Sequence, residues 1–161
     1  MIEIYTDGAC IGNPGPGGWA ALLKEGGDTF SLSGNEVKST NQRMEVKAAI
    51  KALEQTSPGA EITIFSDSQY LVKTMTQGWK RKANLDLWRR LDVLKSERKV
   101  AFQWVKGHAD NPFNLEVDQL ANSLANLAAR GQIIQEQRSE NALNRVLTHV
   151  DESGAARMVD V

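Results

Sequence analysis

The stretch "IEIYTDGACIGNPGPGGWAALL" (residues 2–23) decides how the rest of the chain is read. Residues 2–6 alternate apolar and polar positions and are rich in β-branched and aromatic side chains, the pattern of a strand. The strand ends on Asp7 and breaks into a loop of close-set glycines and prolines. Such a loop can cradle phosphate, but this one fails the template twice. It carries no Gly-Lys-Ser/Thr, and residues 19–24, between two glycine pairs, read as a second strand, so no helix N-terminus is offered to an anion. The glycines are those of a tight hairpin. There remains an aspartate at a strand end, which either opens a turn with Gly8 or holds a cation.

Beyond this stretch, residues 29–34 ("TFSLSG") alternate as a third strand, and the short glycine-rich connections make the three an antiparallel meander. The period then changes. Val46, Ala49, Ile50 and Leu53 are spaced for a helix, with Ser39, Thr40 or Asn41 as its N-cap and Pro58-Gly59 as its stop. "EITIFSD" (residues 61–67) is a fourth strand, "SQYLVKTMTQ" a helix after it, and residues 85–98 an amphipathic helix carrying Leu87, Trp88, Leu91 and Leu94. "VAFQWVKG" (residues 100–107) is a fifth strand, and residues 115–130 a last helix with Gly131 at its C-terminus. This order predicts an α/β fold with a five-stranded mixed sheet, strands one, four and five parallel, and helices on both faces. Residues 1–131 form the expected domain. Residues 132–161 are more polar and slightly acidic, and read as a C-terminal extension in which Leu143, Val146, Leu147 and Val150 mark the face of one amphipathic helix.

At 161 residues the chain is long enough for one well-buried core. Its single cysteine, Cys10, permits no internal disulfide, and no apolar run approaches the length of a membrane span, so a reducing, cytoplasmic setting is expected. The net charge is only −1, yet the stretch from Lys73 to Lys106 carries ten Lys/Arg against three acids. A basic surplus on one segment of a near-neutral protein is the usual footprint of a polyanionic partner, although a solvated helix face looks the same.

The carboxylates carry the chemistry. "IEIYTD" and "ITIFSD" are strands of similar character ending on Asp7 and Asp67. If the two are parallel neighbours, both carboxylates lie at the carboxyl end of the sheet, where open α/β sheets place their sites. Two anions that close repel unless one is protonated or a cation lies between them, and hard oxygen ligands suit Mg²⁺. Glu45 leans toward the core from the flank of its helix, and Asp118 lies near the start of the last one. Each acid alone has an ordinary role: turn, helix cap or surface charge. Four converging from three kinds of element suit a pair of Mg²⁺ ions that activate water and stabilise a leaving oxygen in phosphodiester cleavage. His108, in the Gly/Pro-flanked "VKGHADNP", is suited to move a proton there.

These same residues carry a resemblance. "YTDGACIGNPGPGGWA", "STNQRMEVKAAIKAL", "FSDSQYLV" and "WVKGHADNPFNLEVDQLA" closely resemble, in order and spacing, four blocks of the bacterial ribonuclease HI family, over residues 2–130. The resemblance implies endonucleolytic cleavage of the RNA strand of RNA/DNA hybrids, leaving 5′-phosphate ends, with two Mg²⁺ ions expected when substrate is bound and Mn²⁺ as a substitute; a monomer is expected. Carried over by motif, the metal-binding set falls on Asp7, Glu45, Asp67 and Asp118, with His108 as a mobile loop histidine. Cys10, Asn13, Asn41, Gln42 and Gln69 fall where the family contacts the hybrid's minor groove. Lys38, Thr40 and Asn84 fall where it grips a DNA phosphate.

The chain departs from the family pattern in three places. The Lys- and Trp-rich protrusion of many relatives is cut to "GWKRKANLDLW", in which Trp79, Lys80, Arg81 and Lys82 look like its remnant. Gln42 stands where a second asparagine is common. The extension beyond Gly131 has no matching block and is a candidate to touch substrate, the domain or a protein partner. Other nucleases of the same fold (integrases, transposases, junction nucleases), a silent hybrid-binding module and a nuclease dependent on a partner for affinity are the competing readings.

Overall fold

The computed structural model describes residues 1–107 and 111–140. Six strands and four helices follow in the order β1 (Ile2–Cys10), β2 (Gly15–Glu25), β3 (Asp28–Ser39), α1 (Asn41–Glu54), β4 (Glu61–Ser66), α2 (Gln69–Gln77), α3 (Leu85–Ser96), β5 (Lys99–Trp104), α4 (Pro112–Ala129) and β6 (Gln137–Glu140). They form one sheet in the order β5-β4-β1-β2-β3-β6. β1 pairs antiparallel with β2 and parallel with β4, and β4 pairs parallel with β5. The expected mixed α/β architecture is therefore observed.

β1 lies at the centre because both of its faces are apolar where it matters. Ile4 faces a core built with α1, α3 and α2 through Met44, Val46, Ala49, Leu53, Leu71, Trp88 and Leu91. Tyr5 faces the opposite side, where Val117, Ala121 and Ala125 of α4 pack with Ala20 and Leu22. Gly18 of β2 lets α4 close on the sheet, since a Cβ there would lie 2.2 Å from the Ala121 carbonyl oxygen. α1 is capped by Thr40, whose Oγ1 accepts from Arg43 N. α4 starts at Pro112, three residues earlier than its apolar spacing predicts, because Asn111 Oδ1 accepts from the N–H groups of Phe113 and Asn114. It ends as expected, with Gly131 left-handed at φ 81° and the Gln132 N–H returned to the Leu127 carbonyl.

Two expectations need correction. The first three strands are longer than their alternation indicates, β1 running on to Cys10 and β3 to Ser39. The sheet also has six strands instead of five. Gln137–Glu140, within the stretch read as an extension outside the core fold, pairs antiparallel with residues 30–33 of β3. Its sequence, "QRSE", has no apolar alternation because it is a short edge strand with little to bury. It is fixed from the side instead. The buried Asn35 amide donates to the carbonyls of Leu124 and Gln132 at 2.9 Å each and accepts from Ile134 N at 2.7 Å. The Arg138 guanidinium lies 3.6 Å from the centroid of Phe30. The amphipathic face of Leu143, Val146, Leu147 and Val150 lies outside the described residues. No helix among the described residues is long and apolar enough to cross a membrane.

Candidate active site

The parallel register of β1 and β4 sets Tyr5 beside Phe65 and Thr6 beside Ser66, so the next step along both strands brings Asp7 and Asp67 together. The stacked rings of Tyr5 and Phe65, 4.9 Å between centroids, lie one rung below on the same face. The ordinary alternatives for these two acids do not describe what is seen. Asp7 opens no turn, since β1 continues three residues past it, paired with Ala20. Asp67 does not cap α2, because Ser68 does, its Oγ accepting from Leu71 N at 3.1 Å.

Glu45 joins them because Gly8 has no side chain. A Cβ on Gly8 would lie 2.5 Å from Glu45 N and 2.9 Å from Met44 Cβ, so glycine there is what allows α1 to press against β1. The result is that Asp7, Glu45 and Asp67 each present a carboxylate oxygen within 4.8 Å of the other two. Asp118 comes from α4 on the other side and lines the same cleft as Asp7 and Asp67. Thr6, Asp7, Asp67, Lys106, Gly107 and Asp118 line a narrow cleft beside the cluster.

This concentration of acids is electrostatically unsettled. Glu45 is 5% exposed and Asp7 6% exposed. Burial first, then the Asp67 charge and the neighbouring Asp118 carboxyl, push Asp7 up to about 8. Burial first, then Asp7 and Asp67, pushes Glu45 well above the usual carboxylate range. Glu45 Oε1 is buried with no hydrogen-bond partner among the described residues. An unpaired buried carboxylate oxygen facing two further carboxylates is what a divalent cation with oxygen ligands satisfies, so the residues fit such an ion.

The candidate substrate residues divide by location. Cys10 Sγ donates to the carbonyls of Gly15 and Ser39, tying the end of β1 to its neighbours, and burial pushes its thiol up. Asn13, in the β1–β2 loop, accepts from Asn41 N at 3.0 Å and so joins that loop to the start of α1. Gln42 and Gln69 are exposed in the first turns of α1 and α2. Thr40 and Asn84 both contact Arg43, and Lys38 is exposed near the end of β3. In the shortened basic segment Trp79 is 44% exposed with Lys73 Nζ 5.6 Å from its ring centroid, and Lys80 and Lys82 are exposed. Arg81 is instead engaged by other side chains of the protein, paired with Asp92 and with its guanidinium carbon 5.2 Å from the Trp88 ring centroid. His108 lies outside the described residues. Two contributors escaped the sequence reading. Gly8 resembles half of an Asp-Gly turn, and Arg43 resembles a surface cation on a helix. Only the tertiary fold reveals the neighbour each one meets.

The RNase H family model matches residues 1–126. A ribonuclease H of Pseudomonas savastanoi pv. phaseolicola is 46% identical over 134 residues, covering 75% of this chain and 90% of the relative. Among solved structures, the N-terminal RNase H domain of a Mycobacterium tuberculosis protein superposes with a TM-score of 0.72 at 26% identity, covering 81% of this chain and 96% of that one. LC11-RNase H1, solved in complex with RNA/DNA hybrid, superposes with a TM-score of 0.68 at 27% identity, covering 80% and 99%. Four sequence blocks, the sheet order that brings Asp7 beside Asp67 and these matches agree, and the chain belongs to the RNase H family.

Proposed function

We propose that the chain hydrolyses the RNA strand of RNA/DNA hybrids with two Mg²⁺ ions held by Asp7, Glu45, Asp67 and Asp118. The family is one of divalent-metal-dependent endonucleases, and the acidic cluster agrees with it. The single observation that carries the reading is the convergence of three carboxylates within 4.8 Å, two of them nearly fully buried. Bound there, Mg²⁺ supplies Lewis-acid activation of water and neutralises charge that builds on the leaving oxygen. The chain's own part is positional. β1 and β4 hold Asp7 and Asp67 in register, Gly8 brings in Glu45, and Asp118 approaches from α4. A water oxygen bonds to phosphorus and gives up its proton to solvent, and the bond from phosphorus to the 3′ oxygen breaks. Protonated His108, between β5 and α4 in the chain, delivers the proton that this oxygen takes up and is reprotonated from solvent. The products are a 3′-hydroxyl and a 5′-phosphate.

Selectivity follows from which groups face which strand. Asn13, Asn41, Gln42 and Gln69 offer neutral donors and acceptors suited to 2′-hydroxyls in a minor groove. Lys38, Thr40 and Asn84 suit a phosphate of the DNA strand. Trp79, Lys80 and Lys82 extend the contact through ring stacking and charge. The setting is cytoplasmic and the enzyme a monomer.

The test presents one RNA sequence as RNA/DNA hybrid, duplex RNA and single strand, with Mg²⁺, Mn²⁺ or EDTA. Cutting of the hybrid's RNA alone, dependent on metal and lost in Asp67→Asn, is the expected result. Binding of the hybrid without cutting would replace this reading with a silent or partner-dependent module.

A further inference from the structure

Three helices meet at Asn84. The residue precedes α3 with φ 60°, a left-handed conformation that asparagine tolerates better than most side chains, and its amide makes no capping bond to its own helix. Instead Asn84 Oδ1 accepts from Arg43 Nη1 at 3.2 Å, and Asn84 Nδ2 donates to the Tyr70 hydroxyl at 3.1 Å. Trp88 Nε1 donates to the same hydroxyl at 3.2 Å. The Arg43 guanidinium also forks onto Asp86 at 3.1 and 2.9 Å, while its backbone N–H donates to Thr40 Oγ1 at 3.1 Å.

The donor inventory gives this network a direction. Guanidinium and indole N–H groups only donate. Arg43 therefore fixes the carbonyl side of the Asn84 amide, which sends the NH₂ side toward Tyr70. The Tyr70 oxygen receives two donors, so its own proton is left for a partner outside the network. Among the described residues the same count leaves one Asn84 N–H and the Thr40 hydroxyl proton unspent. The local acid, Asp86, is spent on Arg43, whose hydrogen bonds hold it down to about 2. Lys38 adds an exposed ammonium two residues before Thr40. The unspent groups are donors, and a phosphate takes several donors at once.

We propose that Arg43 is a positioning residue for DNA-strand recognition: forked on Asp86, it fixes the Asn84 amide, with Tyr70, so that Asn84, Thr40 and Lys38 converge on one DNA phosphate. The inference rests on the hybrid-cleaving reading and deepens it. Arg43 itself takes no part in the chemistry, so its loss acts on KM and leaves kcat at saturating hybrid near the wild-type value.

The experiment replaces the DNA-strand phosphates, one at a time, with neutral methylphosphonates and measures steady-state cleavage by the wild type, Arg43→Gln and Tyr70→Phe. In the wild type one position raises KM by about tenfold, the size of a lost charge-assisted contact. In Arg43→Gln the KM on unmodified hybrid is already raised by a similar factor, and neutralising that position adds less than about twofold. Tyr70→Phe keeps the ring against Trp88 and shows the same loss of coupling in smaller degree, so it carries the test if Arg43→Gln does not fold. Variants that melt with the wild type yet keep the full penalty at that phosphate overturn the proposal. A wild type that cuts hybrid but is indifferent to every single DNA phosphate also overturns it and leaves the nuclease reading standing. A wild type that cuts no hybrid overturns the nuclease reading instead.

Discussion

The carboxylate cluster and the Asn84 network lie on the same molecule and are built on opposite principles. At Asp7, Glu45 and Asp67 like charges are forced together, and one buried oxygen has no partner among the described residues. At Asn84, Arg43, Tyr70, Trp88 and Asp86 each polar group that meets another finds a complementary one. A network whose internal bonds are complementary keeps its geometry without a ligand and can hold its remaining donors ready for one, as a recognition element needs to. An unsatisfied one is stabilised by what binds it, so the protein's stability and its cation binding are linked at that site.

The largest effects are expected at the cluster. Asp67→Asn is expected to lower hybrid cleavage by on the order of a thousandfold or more, the scale of losing several kcal/mol of transition-state stabilisation. At pH 8 without metal the same variant melts above the wild type, because a mutual repulsion is gone. Activity assays and thermal melts with EDTA check the two halves. Gly8→Ala comes next. Its Cβ has no room against the Glu45 backbone, so α1 shifts, and a misplacement near 1 Å costs about a hundredfold in kcat. A variant that keeps wild-type kcat would show that the approach of α1 to β1 is not what sets Glu45.

Away from the site, effects fall on stability. Asn35→Ala removes one buried and two part-buried hydrogen bonds that tie β3 to α4 and to the segment after it, and is expected to cost about 2–4 kcal/mol, read by urea unfolding, with kcat nearly unchanged. A truncation after Gly131 is expected to fall in the same direction. The metal-free wild type carries the contrast between cluster and network into its pH dependence. Asp7 and Glu45 are both raised when folded, so the folded chain keeps protons that the unfolded chain releases. Their contribution is full below about pH 4 and is lost as pH climbs toward about 8, so Tm without metal falls across that window. A flat profile would mean the cluster is not strained. The smallest effect is expected at Lys80 and Lys82. Neutralising both weakens hybrid binding modestly and lowers its salt slope by roughly two contacts.

Much of this was legible in the sequence, and the limits have physical causes. Strands ending "YTD" and "FSD" carry their own alternation, and parallel pairing makes their last residues neighbours, so Asp7 and Asp67 could be paired from their own segments. Spacing sets Glu45 and Asp118 on helix flanks, and the structure brings Glu45 beside Asp7 and Asp67. The role of Gly8 could not, because the atom it avoids belongs to a helix some forty residues on. β6 could not, because a four-residue polar edge strand is specified by Asn35 and Phe30 across the fold and not by its own pattern. Arg43 looked like any helix-surface cation until α3 brought Asp86 and Asn84 to it.

Whether these carboxylates make a metal site is tested most directly by calorimetric titration of Mg²⁺ into the protein at pH 8, wild type beside Asp67→Asn. Saturable Mg²⁺ binding by the wild type is expected, accompanied by proton release from Asp7 and Glu45, and lost in the variant. Equal binding by both proteins, or binding by the wild type with no proton release, would contradict a metal site made by Asp7, Glu45 and Asp67.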